Sequence, residues 1–213
     1  MGTITIWSDL TCPWAYVAGL RLRAARDQAR AERVTFDFRA FPAELTDGKV
    51  HDEATVRNQV AVLAQLEQRA FSSYEGATWP ASSLLGWEAQ KWGYSLGQET
   101  GTDFDLALRR AFFLHSHDLS SRRELVGIAT QEGLDATSLA AALDSGVHRS
   151  EVMADCAAAV QAGVVGSPQL DLPDAESQFN PGITHEVVRG IPIIHADHPS
   201  VYEEMIRIAA FDD

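Results

Sequence analysis

Trp7-Ser8-Asp9-Leu10-Thr11-Cys12-Pro13-Trp14-Ala15 decides how the rest of the chain is read. Before it, Thr3 to Trp7 alternates apolar and polar residues, with Ile4 and Ile6 on one face, the period of a strand. After it, Val17, Leu20 and Ala24 form a helical stripe, and Arg21, Arg23, Arg26 and Arg30 supply polar cover. Pro13 suits the first helical position, where its missing N–H costs nothing. Cys12 therefore falls near the helix N-cap, where the macrodipole and unpaired N–H groups favour a thiolate, the nucleophilic form. Ala15 stands where a Cys-x-x-Cys motif has its second cysteine, so the site carries one thiol.

Working outward, Val34 to Arg39 alternates Val34, Phe36 and Phe38 with Thr35, Asp37 and Arg39, a second strand. Strand, helix and strand in that order imply a right-handed crossover with parallel strands. A long stretch poor in strand signals follows, with helices expected over Val56–Phe71, Ala81–Trp92, Asp105–Leu114 and Arg122–Glu132, and Gly133 as a stop. Asp135 caps a short helix carrying Leu139 and Leu143 and ending near Gly146. Another helix runs from about Ser150 to Ala162, with Val152, Cys156, Ala159 and Val160 on its stripe. Beyond Gly163 a strand is expected over Val164–Leu172, then a polar, turn-rich segment from Pro173 to Gly182. His185 to Ile194 reads as a returning edge strand interrupted by Gly190 and Pro192. Pro199 opens a last helix with Val201, Met205 and Ile208 as its buried stripe. The order is βαβ, a block of helices, then ββα.

With 213 residues and 46% hydrophobic content, the chain can bury one core or a core with an inserted lobe. The net charge of −13 argues against nucleic acid and against anionic membranes as partners. No apolar run approaches a membrane span, and the first residues lead straight into a strand without the pattern of a signal peptide. The expected location is the cytoplasm. Cys12 and Cys156, the two cysteines, do not make a disulfide scaffold.

These features together resemble the DsbA-like thioredoxin-fold superfamily, most closely its FrnE and 2-hydroxychromene-2-carboxylate isomerase branch. Asp9 to Tyr16 is similar to that branch's Cys-Pro-Trp-Cys-Tyr segment. Arg110-Ala111-Phe112-Phe113 through Asp118, Gly133-Leu134-Asp135 and Leu139 to Gly146 carry the middle of the match. Ala162-Gly163-Val164-Val165-Gly166-Ser167-Pro168 is similar to the loop with the family's cis-proline. The implied fold is α/β, a thioredoxin-like domain at residues 1–50 and 150–213 with an all-helical insertion at 51–149. By the resemblance, Cys12 is the attacking cysteine and Pro168 the cis-proline. Ser167 offers its N–H and C=O to a thiol or peptide ligand, while Pro13 and Trp14 shape the approach.

The resemblance implies a thiol oxidoreductase. Ala15 removes the resolving cysteine, so exchange of the monothiol type is expected here. Relatives of the isomerase and kappa-class glutathione transferase kinds lack that cysteine too, and use a bound thiol. The alternatives are thus a small-thiol-dependent isomerase or transferase acting on an aromatic molecule, with Cys12 hydrogen-bonding the cofactor sulfur, or a non-catalytic binding protein. No tightly bound cofactor is expected, only a low-molecular-weight thiol such as glutathione or an equivalent. The partners expected are that thiol or a small molecule, and a homodimer is compatible with the chain.

Other candidates weigh less. Cys156, on a core stripe, reads as packing rather than as a distant resolving thiol. His115 and His117 are two apart on a helix and do not face each other, so no metal site is expected there. His195 and His198 flank Asp197 before the last helix, whose N-terminus suits an anion; in thiol-transferase relatives a similar position holds a cofactor carboxylate, which makes Asp197 a binding candidate. Trp79, Trp87, Trp92, Tyr74 and Tyr94 suggest an aromatic lid or pocket above Cys12, with core packing as the plain reading.

Overall fold

A computed structural model describes residues 2–173 and 175–211. Met1 and Asp212–Asp213, the ends of the expected sheet domain, lie outside the described residues, as does Asp174 in the polar segment after Pro173. The chain opens with β1 (Thr3–Ser8), α1 (Pro13–Ala29) and β2 (Thr35–Ala40). β1 and β2 pair in parallel with Thr3 opposite Thr35 and Ser8 opposite Ala40, as the crossover requires. Six helices then follow without a strand among the described residues: α2 (Ala43–Thr46), α3 (Glu53–Leu63), α4 (Leu84–Ser95), α5 (Gln98–His115), α6 (Arg122–Gln131) and α7 (Ala136–Ser145). The chain continues through α8 (Arg149–Ala162), β3 (Gln169–Asp171), β4 (Gln178–Phe179), β5 (Ile183–Val188), β6 (Ile191–Asp197) and α9 (Ser200–Ala210).

The main sheet has the order β2-β1-β3-β4, with β3 antiparallel to β1 and β4 antiparallel to β3. Helices α1 and α9 supply its first core: Leu22, Tyr202, Met205 and Ile206 pack with Ile4, Ile6, Phe36, Phe38 and Leu170. The second core lies among the helices, where Trp87, Trp92, Phe104, Leu108, Phe112, Leu125 and Leu139 are buried. Leu10, Cys12, Trp14 and Tyr16 belong to this second core. The β1–α1 junction is thus the seam between the two.

Several local expectations shift, each for an identifiable reason. α3 starts earlier, because Asp52 caps it by accepting from Thr55 N–H at 2.9 Å, and it stops at Leu63 rather than Phe71. α5 begins at Gln98, directly after Gly97. β3 is confined to Gln169–Asp171, since Val164–Pro168 forms the loop beside Cys12 rather than a strand. Residues 183–197 do not return as one edge strand. They fold into a separate two-stranded hairpin around Arg189 (φ 53°) and Gly190 (φ 80°), consecutive left-handed residues of a type I′ turn. α9 buries Tyr202, Met205, Ile206 and Ala209 rather than Val201 and Ile208. On α8, Val160 is exposed and Cys156 half-buried, so the stripe narrows to Val152 and Ala159. On α1, Ala24 is exposed and Arg21 is buried, its guanidinium held by Glu67 and Asp197. Three glycines stop helices as expected: Gly133, just past the C-cap of α6, and Gly146 and Gly163, at the ends of α7 and α8, all lie in the left-handed region.

Candidate active site

The C-terminal end of β1 runs into the interior, and Asp9 organises the turn that leads from it into α1. The Asp9 carboxylate, 1% exposed, accepts from the Thr11 N–H and hydroxyl, both at 2.6 Å, and from the Ala43 N–H at 2.8 Å. Its own N–H donates to Ser167 Oγ at 2.9 Å, which ties this turn to the loop before β3. Arg109 on α5 completes the anchor. Nearly inaccessible, it is paired with Asp105 one helical turn away, and it donates to the Asp9 carbonyl at 2.9 Å and to Ser8 Oγ at 2.8 Å. A guanidinium can bond several acceptors at once, and a buried one must do so to offset its desolvation.

Cys12 is the N-cap of α1, with Pro13 in the first turn. Its thiol is buried and donates to the Ser167 carbonyl at 3.2 Å. The Ser167–Pro168 peptide bond is cis. The Ser167 N–H has no protein acceptor among the described residues, which leaves it free for a ligand. The expectation of a readily ionised thiol is not met in the free protein. Burial pushes the Cys12 thiol above the ordinary cysteine range, and the negative charge of Asp9 adds to the rise. The Ser167 side chain, the Ala15 backbone N–H and the charge of Arg109 act in the opposite direction without overcoming it. Ala15 is fully buried, and the two cysteines, Cys12 and Cys156, are both free.

A cavity of about 260 Å³ opens against Cys12. Asp9, Trp14, His51, Gln59, Ser167 and His185 are among its lining residues. His185 stacks flat on Trp14, with ring centroids 4.2 Å apart at 15°, and its Nδ1 lies 3.5 Å from Asn180 Nδ2. Burial and then the nearby His195 push the His185 imidazole below its ordinary pKa, which favours the neutral ring. His51 reaches the cavity from the segment between α2 and α3. Its Nδ1 is 3.2 Å from Thr11 Oγ1, and its carbonyl accepts from the Trp79 indole at 2.8 Å.

The structure thus brings Cys12, Trp14 and Ser167 to one cavity, while Pro13 and Pro168 are buried next to them in the chain and are not among its lining residues. Asp197 is placed elsewhere. At the end of β6 it takes a bidentate pair from Arg21, at 2.6 and 3.0 Å, and it does not line the Cys12 cavity. Tyr74 and Trp79 line a different cavity, of about 320 Å³, on the part of α3 marked by Val56 and Val60. Trp87 and Trp92 are core, and Tyr94 bonds the β2 backbone at Phe36 and Phe38. His117 sits 3.2 Å from Glu124, and Asp118 accepts from Ser120, so both serve the turn into α6. Sequence reasoning missed His51, Asn180 and the Asp105–Arg109 pair. Only the pair had a signal, an i,i+4 acid and base inside an otherwise apolar helix stripe.

These features define a class: a thioredoxin fold with a lone cysteine at the start of its first helix, facing a cis-proline loop. The family model for the DSBA-like thioredoxin domain matches residues 3–181, and the chain belongs to that family, one of thiol oxidoreductases and isomerases. No curated protein sequence matches the chain. Among solved structures, it is similar to a probable DsbA oxidoreductase from Streptomyces coelicolor, with a TM-score of 0.71 at 21% identity, covering 100% of this chain and 92% of that one. The cytosolic disulfide reductase DsbM from Pseudomonas aeruginosa matches with a TM-score of 0.64 at 16% identity, covering 96% and 97%. A 2-hydroxychromene-2-carboxylate isomerase matches with a TM-score of 0.60 at 16% identity, covering 83% and 88%. At these identities the likeness is one of fold. No helix among the described residues is long and apolar enough to cross a membrane.

Proposed function

We propose that the protein carries out monothiol exchange between Cys12 and a small disulfide in the cytoplasm. The observation that carries this reading is the Cys12 thiol held 3.2 Å from the Ser167 carbonyl at the wall of an open cavity, without a second sulfur at position 15. A disulfide in the cavity lies beside Cys12, and the Ser167 N–H can hold the ligand as a neighbouring strand would. Once Cys12 loses its proton, the Ser167 side chain and the Ala15 N–H stabilise the anion. Its sulfur then bonds one sulfur of the disulfide and the other leaves as a thiol. A second small thiol, glutathione or an equivalent, must resolve the mixed disulfide, because Cys156 is half-buried on α8 and bonds weakly towards the Ala40 carbonyl. The similarity in fold to solved structures of the cytosolic disulfide reductase DsbM, one of them with GSH, is compatible with such a thiol and with a cytosolic setting.

The raised thiol favours a second reading. A protonated Cys12 is a hydrogen-bond donor and could hold the sulfur of a bound thiol as thiolate for isomerase or transferase chemistry on an aromatic molecule. Intact-mass spectrometry after incubation with oxidised glutathione and with cystamine separates the two. The exchange reading expects a single half-disulfide adduct that is absent in Cys12→Ser and released by excess thiol. A reduced thiol that binds saturably while no adduct forms supports the second reading. Neither adduct nor binding sinks both.

A further inference from the structure

The hydrogen bonds around Thr11 fix where the proton of the neighbouring imidazole sits. Thr11 Oγ1 lies 2.6 Å from Asp9 Oδ1, a carboxylate oxygen that can only accept, so the single hydroxyl proton must point there. The remaining contact of Oγ1, to His51 Nδ1 at 3.2 Å, is then made through a lone pair, and Nδ1 must carry the hydrogen. A neutral His51 in this tautomer has a bare Nε2. Among the described residues the hydrogen bonds of His51 run from Nδ1 to Thr11 and from the Trp79 indole to its carbonyl, none at Nε2, and His51 lines the Cys12 cavity. The relay runs from His51 through Thr11 to Asp9, the arrangement by which a carboxylate orients an imidazole for proton transfer.

From this geometry we infer that His51 is the proton acceptor, and then the proton donor, for Cys12 in its exchange with a small disulfide. The inference rests on the exchange reading proposed above. The other titratable or charged groups lining the cavity are Asp9, Asp47 and His185. Asp9 has its oxygens committed to Thr11 and Ala43, Asp47 is exposed, and His185 is packed flat on Trp14 beside Asn180. His51 is tied to Thr11, the residue next to the nucleophile. The step balances within the cavity. Nε2 takes the proton from Sγ as Sγ bonds one sulfur of the disulfide RSSR′. The S–S bond breaks with its electron pair on R′S, which takes the proton back from Nε2. The products are Cys12–S–SR and R′SH, so one S–S bond replaces another and no further oxidant is needed. The buried, protonated state of the thiol is what makes a base necessary.

The test follows Cys12 modification against pH by mass spectrometry, with two probes, oxidised glutathione and iodoacetamide, and a Cys156→Ser background so that one thiol reports. The background protein should show two limbs, one at neutral pH that depends on His51 and an alkaline one from unassisted thiolate. His51→Gln can still donate to Thr11 and leaves the Trp79 bond to the His51 backbone in place. It should lose the neutral limb, by about 10²-fold in rate at pH 7, and keep the alkaline one. Equal loss at every pH would show a structural role and overturn the inference. So would an unchanged profile, or loss of the neutral limb in His185→Gln instead. If oxidised glutathione gives no adduct while iodoacetamide shows both limbs, the exchange reading fails and the role of His51 as proton acceptor stands. ¹⁵N spectra of histidine-labelled protein check the tautomer directly: a protonated Nδ1 and bare Nε2 are expected for His51, and the reverse overturns the assignment.

Discussion

At Cys12 two effects of known sign compete. The start of a helix favours a thiolate, and removal from water disfavours it. Here burial wins, and the folded thiol titrates above its unfolded counterpart. The folded state then binds more protons than the unfolded one between the two pKa values, so this group's contribution to stability is full below the unfolded value, about 8.5, and is lost as pH rises through the folded value. Urea midpoints at pH 7 and pH 9.5 should therefore fall further for the parent than for Cys12→Ala, both in a Cys156→Ser background, since Cys156 is also pushed up, to about 11. A larger fall in the Cys12→Ala protein would contradict the assignment. Position 15 offers the converse experiment. Ala15 lies three residues on from Cys12, on the same side of α1, so Ala15→Cys restores the spacing at which one thiol resolves a mixed disulfide on the other. The parent should be weak in insulin reduction and Ala15→Cys measurably faster, at a packing cost of about 1–3 kcal/mol because the site is fully buried. Strong turnover by the parent would refute the single-thiol site.

At the scale of elements, the helical block is bolted to the sheet by Arg109, which reaches from α5 into the carbonyl and hydroxyl groups at the end of β1. Removing one partner of a buried pair leaves an uncompensated charge, which costs about 3–5 kcal/mol. Arg109→Met should lower stability by that order and disturb the turn that sets Cys12 against Ser167. Asp105→Leu combined with Arg109→Met should recover much of the stability but not the exchange rate, since the bonds to Ser8 and Asp9 stay lost. Chemical denaturation and adduct rates on the three proteins measure both, and full recovery of rate in the double variant would show that α5 does not hold the turn. The same contrast explains what was legible beforehand. β1 and α1 carry local signals, a period-two alternation and a proline at a helix start, and Gly163 marks the end of α8, whereas Val164–Pro168 reads locally as strand and only the family resemblance makes it the loop beside Cys12. Arg109 and His51 arrive through packing of segments far away in the chain, and local periodicity holds no trace of where such a side chain ends up. The β5–β6 hairpin was misread for the opposite reason. Gly190 and Pro192 looked like interruptions, whereas Gly190 is the turn itself and Pro192 pairs with Val187 across it.

Over the whole molecule, charge sets which thiols reach the cavity. The chain carries a net charge of −13, and the lining of the Cys12 cavity contains no lysine or arginine among the described residues. Its charged members are Asp9, buried, and Asp47, exposed. The neutral Thr46, Gln59 and Asn180 supply hydrogen bonds but no counter-charge. An anionic disulfide therefore approaches against the field of the protein and finds no ionic partner at the sulfur, while a cationic one is drawn in. Cystamine and oxidised glutathione offer the same reacting S–S bond with opposite net charge. Cystamine should modify Cys12 faster by about tenfold or more at 0.01 M ionic strength, where the Debye length is about 30 Å. The ratio should shrink towards the intrinsic reactivity difference at 1 M, where the Debye length is about 3 Å. Second-order rates for the two disulfides across that salt range, divided by their rates with a free cysteine peptide, isolate the protein's share. A normalised preference for oxidised glutathione at low salt would mean that a cationic group outside the cavity wall recruits the anion, and that net charge does not govern access to the thiol.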